Sequence, residues 1–143
     1  LLATKLAYVI EKGMNCVFCI GEKKEERESG ATMEVCKKQL EQIKGLLDPA
    51  RVVIAYEPVW AIGTGLTATP EMAQETHKQI RDWIKENVSA AAADAMRIQY
   101  GGSANGANAP ALSAQPDIDG FLVGGASLKP EFADIVAAIS AAK

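Results

Sequence analysis

The stretch "RVVIAYEPVWAIGTGLTATPE", Arg51 to Glu71, passes from an apolar run to a single acid, then to a glycine-containing loop and a helix start. "VVIAYE", Val52 to Glu57, reads as a strand buried on both faces, the pattern of a parallel sheet. Side chains alternate along a strand. Ala55 and Val53 therefore share one face with Glu57, while Tyr56, Ile54 and Val52 share the other. A face of smaller residues suits the crowded inside of a narrow barrel, and the bulkier face suits contact with outer helices. Thr69-Pro70-Glu71 then supplies a helix start: a threonine cap, proline in the first turn and an acid facing the helix dipole.

Three more runs look like this strand: "CVFCI" (Cys16 to Ile20), "RIQYG" (Arg97 to Gly101) and "GFLVG" (Gly120 to Gly124). Helical patterns separate them. One covers Leu1 to Lys12, with Gly13 as its C-cap; others cover Met33 to Leu47, Thr69 to about Asn87, Ala107 to Ser113 and Pro130 to Ala142. The order α-(βα)₄ implies parallel strands with right-handed crossovers in one α/β domain over residues 1–143. An open doubly wound sheet and a closed barrel both fit that order, but four strands cannot close a barrel of this kind. The opening "LLATKLAYVIEKG" already lies inside a helical pattern, so the chain reads as a piece of something longer.

The composition is that of an ordinary globular protein, with 48% hydrophobic and 23% charged residues. Fifteen basic against eighteen acidic residues argue against a nucleic-acid or anionic-membrane surface. No apolar run reaches the roughly 20 residues of a membrane span. Three cysteines suit a reducing compartment better than a disulfide scaffold. Cys16 and Cys19 form a C-x-x-C inside a strand, where positions three apart face opposite sides, so they read as buried strand thiols. The charge run "EKKEERESG" (Glu22 to Gly30) reads as a solvated loop or a first helical turn. His77, spaced with Ala73, Ile80 and Ile84 along one helix face, reads as structural.

Each strand ends in polar or glycine-rich residues: Gly21-Glu22, Glu57 to Trp60, "GGS" (Gly101 to Ser103) and Gly124-Gly125. In a parallel barrel these ends share the face where active sites are built. "VGGASL" (Val123 to Leu128) leads through glycines into a short helical turn, an arrangement that suits a phosphate. Glu57 has two readings: a loop ion pair or cap, and a general base made effective once a lid excludes water. Pro58, Val59 and Trp60 stiffen one end of such a lid, Ala61 to Gly65 can swing, and Leu66-Thr67-Ala68 lead into the capped helix.

Together "CIGE", "YEPVWAIGTG", "TATPE", "YGGS" and "DGFLVGGASLKPEF" resemble the triosephosphate isomerase family over essentially the whole chain. The resemblance implies half of a (β/α)₈ barrel, strands five to eight, from an enzyme that interconverts dihydroxyacetone phosphate and glyceraldehyde 3-phosphate through an enediolate, with no metal and no organic cofactor. It also implies a role for each matching residue. Glu57 is the proton-shuttling base, and Gly63, Ser103, Gly124 and Gly125 are phosphate contacts. Pro58, Val59, Trp60, Ala61, Ile62, Thr64, Gly65, Leu66, Thr67 and Ala68 belong to the closing loop, which Tyr100 latches. The family's lysine, asparagine and histidine of the first four strands have no counterpart in these residues. A cytoplasmic homodimer, bound to a small phosphorylated triose, is the expected full-length form. The 143 residues alone are expected to be inactive, edge-exposed and in need of an N-terminal half. Another phosphate-binding sugar barrel and a non-catalytic half-barrel that only associates with a complementary half are the competing readings; "YEPVWAIGTG" argues against the first.

Overall fold

The computed structural model describes residues 1–61 and 67–143. Its elements run α1 (Leu2–Glu11), β1 (Cys16–Ile20), α2 (Lys24–Glu28), α3 (Thr32–Glu41), β2 (Val52–Tyr56), α4 (Pro70–Asn87), α5 (Ala90–Ala95), β3 (Ile98–Tyr100), α6 (Ala109–Ser113), β4 (Gly120–Phe121) and α7 (Phe132–Ala142). Short 3-10 turns occupy Lys44–Leu46, Val59–Ala61 and Gly125–Leu128. The four strands form one parallel sheet in the order β1-β2-β3-β4. Strand order that never reverses, with crossovers of one hand, puts every crossover helix on the same side. A doubly wound sheet needs a reversal point, and this sheet has none.

Register shows which face is covered. Phe18, Ile54 and Ile98 lie in one row, and Ile20, Tyr56, Tyr100 and Phe121 in the next. These rows join Leu6, Cys36, Leu40, Ile43, Ile80, Ile84, Met96 and Leu112 in the hydrophobic core beneath the helices. The opposite face carries the smaller row Cys19, Ala55, Gln99 and Gly120. The division of bulky and small residues expected for β2 is the one observed. Val17, on that second face, is 46% exposed. Cys19 is exposed too and Cys16 half-buried, which corrects the expectation that both thiols are buried: Cys19 points to the face that no helix covers.

Several boundaries differ from the sequence reading. β4 is only two residues long, although Leu122 N still donates to Tyr100 O at 3.0 Å. The helix expected over Met33 to Leu47 ends at Glu41, and its remainder tightens into a 3-10 turn. α5 was not anticipated, although Ser89 caps it by accepting from Ala92 N at 3.0 Å. Arg81 holds it in place, donating to Ala93 O at 2.7 Å and Met96 O at 2.8 Å while pairing with Asp117 at 2.7 Å and Asp119 at 2.6 Å. Among the described residues, no helix is long and apolar enough to cross a membrane.

α4 starts as read, with Thr69 Oγ1 accepting from Met72 N at 3.2 Å and Pro70 in the first turn. It buries Ala73, Thr76, His77, Ile80, Trp83 and Ile84 along one face. His77 is fully buried in that face, its Nδ1–H donating to Asp117 O at 3.1 Å and its ring edge-on to Tyr56. Its Nε2 has no partner among the described residues. Burial therefore drives its pKa down from 6.5 to about 4, against a weaker upward pull from the Asp117 backbone. In the unfolded chain His77 protonates near pH 6.5. Stability present above that pH is thus lost as pH falls toward 4. In urea titrations the advantage of the wild type over His77→Gln should narrow through this window by up to roughly 1.4 kcal/mol per pH unit. A gap independent of pH would show that His77 does not couple folding to protons.

Candidate active site

Glu57 immediately follows β2 and is held first by its backbone. Its N–H donates to Ile20 O at 2.7 Å, and the preceding carbonyl, Tyr56 O, accepts from Gly101 N at 2.8 Å. The ends of β1, β2 and β3 thus meet around one residue. Two glycines close on it from either side. A Cβ on Gly21 would lie 1.7 Å from Glu57 O, and one on Gly101 would lie 2.4 Å from Glu57 Cγ. Only glycine lets the neighbouring chains come this near. Glu57 remains half-buried, with its side chain on the face of Ala55 and Cys19.

Cys19 is one contact that the sequence reading missed. Cys19 is exposed as a residue, but its thiol is partly shielded beside the acid. This partial burial first, then the charge and hydrogen bond of the Glu57 carboxylate, push the thiol pKa up to about 11. It is thus a neutral donor beside the acid. The signal was available in strand parity, since Cys19 pairs with Ala55 and Ala55 shares a face with Glu57.

Glu22 is the second omission. The charge run does become a short helix, α2, over Lys24–Glu28, but the run's first residue, Glu22, precedes that helix and is completely buried. Its carboxylate accepts from Tyr56 Oη at 3.0 and 3.1 Å and from Trp60 Nε1 at 3.0 Å, with Arg27 3.8 Å away. Burial, followed by this carboxylate, raises the Tyr56 phenol pKa. Val59 N also donates to Glu22 O at 3.0 Å. The stiff end expected from Pro58, Val59 and Trp60 is therefore tied to the core through a buried acid. Pro58 is buried, and Ala61 N closes the 3-10 turn on Pro58 O at 2.8 Å.

Ile62, Gly63, Thr64, Gly65 and Leu66 lie outside the described residues. Beyond them Thr67 is exposed and Ala68 buried. Tyr100 is buried at the end of β3, and its Oη has no hydrogen-bond partner among the described residues. Burial raises its phenol pKa, and the Ala68 backbone opposes that rise. The residue expected to latch the loop thus sits against the loop's far end. Its hydroxyl also accounts for Gly102, where a Cβ would come within 2.2 Å of it.

The glycine-rich strand ends converge. Gly101, Gly102, Ser103, Ala104, Gly124, Gly125 and Ala126 line one hollow of about 330 Å³. Ser103 Oγ donates to Ala61 O at 2.7 Å, linking this hollow to the loop's first turn, and Asn108 Nδ2 donates to Ser103 O at 2.8 Å. Gly124 and Gly125 differ from Gly21 and Gly101: a Cβ on either would meet nothing within 4 Å among the described residues. Chain packing does not demand glycine there, and both stand exposed at the rim of the hollow. Of the residues expected at the site, Glu57, Ser103, Gly124, Gly125 and Tyr100 all lie at the same end of the sheet. His77 instead lies beneath the sheet among the helices.

Comparison with known proteins agrees with this geometry. A family model described as triosephosphate isomerase matches residues 1–139. The chain is 53% identical over 136 residues to triosephosphate isomerase of Debaryomyces hansenii. That match covers 94% of the chain and 55% of the relative, so the chain spans about half the length of the protein it resembles.

The contact between Cys19 and Glu57 makes the acid's charge measurable. Replacing Glu57 with Gln removes the charge and nearly preserves the shape, so the Cys19 pKa should fall and its alkylation at pH 8.5 should accelerate. The gain should stay within roughly tenfold, because burial, the larger cause, is untouched. Peptide mass spectrometry after timed iodoacetamide exposure separates Cys19 from Cys16. An unchanged rate at Cys19 would remove the carboxylate from its surroundings.

Proposed function

The chain belongs to the triosephosphate isomerase family, and on that premise we propose that it supplies the base and most of the phosphate cradle of an enzyme interconverting dihydroxyacetone phosphate and glyceraldehyde 3-phosphate. The observation that carries the reading is the double role of Gly101. It packs against the Glu57 side chain and also lines the hollow formed by Ser103, Gly124 and Gly125. A triose phosphate anchored in that hollow places its carbons within a short reach of the carboxylate. Glu57 takes a proton from the carbon next to the carbonyl and returns it to the neighbouring carbon, and an enediolate forms in between. The hydroxyl proton passes to the former carbonyl oxygen, so that carbonyl and alcohol exchange places. Backbone amides of Gly63, Gly124 and Gly125, with Ser103, hold the phosphate. Closing of Pro58 to Ala68 over the site, latched through Tyr100, keeps water from the intermediate. A cytoplasmic homodimer is the expected full-length form, and neither a metal nor an organic cofactor enters this scheme.

Proton removal also needs stabilisation of the negative oxygen that develops, commonly the largest catalytic contribution. In the proposed scheme a histidine and a lysine outside these 143 residues provide it. Losing one such donor typically costs about 100- to 1,000-fold, so the 143 residues alone should turn over almost no substrate. The open edges β1 and β4 and the exposed Val17 favour a second reading, in which the isolated chain acts only as an association partner for a complementary half-barrel.

A coupled isomerase assay separates the two readings. The purified chain should be inactive alone and gain activity when mixed with the N-terminal part of a family member. Structural association without any gain would favour the second reading. In a full-length protein containing this chain, Glu57→Asp withdraws the carboxylate by about one methylene and should lower kcat on the order of 100-fold with KM little changed. Near-normal turnover in that variant would remove Glu57 from the base role.

A further inference from the structure

We infer that Gln39 is a positioning residue for Glu57, acting through the peptide groups of Gly21. This rests on the isomerase reading of Glu57. Gln39 lies on α3, and its side-chain amide makes two hydrogen bonds to one residue: Gly21 N donates to Gln39 Oε1 at 2.9 Å, and Gln39 Nε2 donates to Gly21 O at 3.0 Å. A primary amide matches a peptide group in having one acceptor and adjacent donors, so it can stand in for a strand residue.

The backbone at the end of β1 explains why a stand-in is needed. On the β2 side the bonds skip Gly21, since Ile20 O accepts from Glu57 N and Glu22 O accepts from Val59 N. Gly21's own N–H and C=O therefore turn to the other edge, where no strand among the described residues pairs with β1. Left unpaired in a half-buried position, both would carry a desolvation cost, and the segment would be free to shift. Gln39 fills that gap from a rigid base. Its neighbours Cys36 and Leu40 are fully buried, which fixes α3 against the sheet.

Gly21 is also the residue whose Cα presses on the Glu57 carbonyl, with no room for even a methyl group. A displacement of Gly21 is thus transmitted to Glu57 by contact. Ile20 and Glu22, on either side of Gly21, hold Glu57 and the loop's first turn, so one amide on α3 sets the position of both. Among the described residues Gln39's hydrogen bonds go to Gly21, and Gln39 does not line the hollow at Gly101 to Ala104 and Gly124 to Ala126. Its influence should fall on the base and leave phosphate binding alone.

The test uses a full-length protein containing this chain, with inorganic phosphate as the binding probe. Gln39→Met, similar in volume and without hydrogen-bonding groups, should lower kcat about tenfold with KM and the phosphate inhibition constant unchanged. Amide exchange at Gly21 should accelerate. Gln39→Glu retains the acceptor for Gly21 N–H but sets a second oxygen against Gly21 O. Its activity relative to the wild type at the same pH should therefore rise as pH falls and the new carboxyl gains a proton able to donate. A filler of space would give no such trend. Unchanged kcat in Gln39→Met, or equal losses in kcat, phosphate affinity and melting temperature, would overturn the inference. Glu57→Asp run in parallel keeps the two ideas apart. If that variant is impaired while Gln39→Met is normal, only the role of Gln39 fails; if Glu57→Asp is normal, the reading beneath it fails.

Discussion

Everything at this end of the sheet depends on the close approach of three chain segments at Glu57. Its amide is bonded to β1, the carbonyl before it is bonded to the segment leaving β3, and glycines on both sides let the backbones meet. A carboxylate on a surface loop samples many rotamers and faces water on most sides. Here the sheet itself holds the main chain, and only the side-chain torsions remain to be settled by Cys19 and Gly101. The acid is thus placed by the sheet, the element least able to move.

That loop is anchored by a second carboxylate with the opposite character. Glu22 is wholly buried and accepts from Tyr56 and Trp60. Removing one partner of such a group leaves an uncompensated polar atom and costs far more than an exposed contact would. Tyr56 belongs to the strand and Trp60 to the loop's first turn, so Glu22 joins the two. Ser103 makes a similar joint from the other side by donating to Ala61 O. The start of the loop is held at two points, by groups from the ends of β1 and β3.

The four strands were legible because each is a short apolar run bounded by glycine or polar residues, and the face assignment in β2 followed from alternation alone. Thr69-Pro70-Glu71 marked the start of α4 for equally local reasons. What escaped the sequence was pairing across distance. Glu22 sits in a charge run that local pattern assigns to solvent, and only the arrival of Tyr56 and Trp60, more than thirty positions away, makes its burial tolerable. α5 escaped because an alanine run carries no amphipathic period; Ser89 was its one local mark, and Arg81 its distant support. The thiol of Cys19 was misplaced because strand pattern alone does not say whether both faces of a sheet are covered. At the site, Glu57 and the glycines announced themselves by motif, whereas Gln39 offered none: an amide inside a helix looks like any solvated residue until the strand end that it serves is known.

The glycines at the mouth divide the chain's mutational landscape into two regimes. At Gly21, Gly101 and Gly102 a single added carbon collides with the protein itself. Selection for folding alone would therefore keep those positions fixed, whatever the chain does. At Gly124 and Gly125 an added carbon meets nothing within 4 Å among the described residues, so a library screened only for folded protein should accumulate alanine and serine there. A library screened for function would keep them glycine if something outside the chain must come as close as a bare backbone allows. The contrast between two such populations would mark the outline of the ligand by what it forbids, with no ligand ever added.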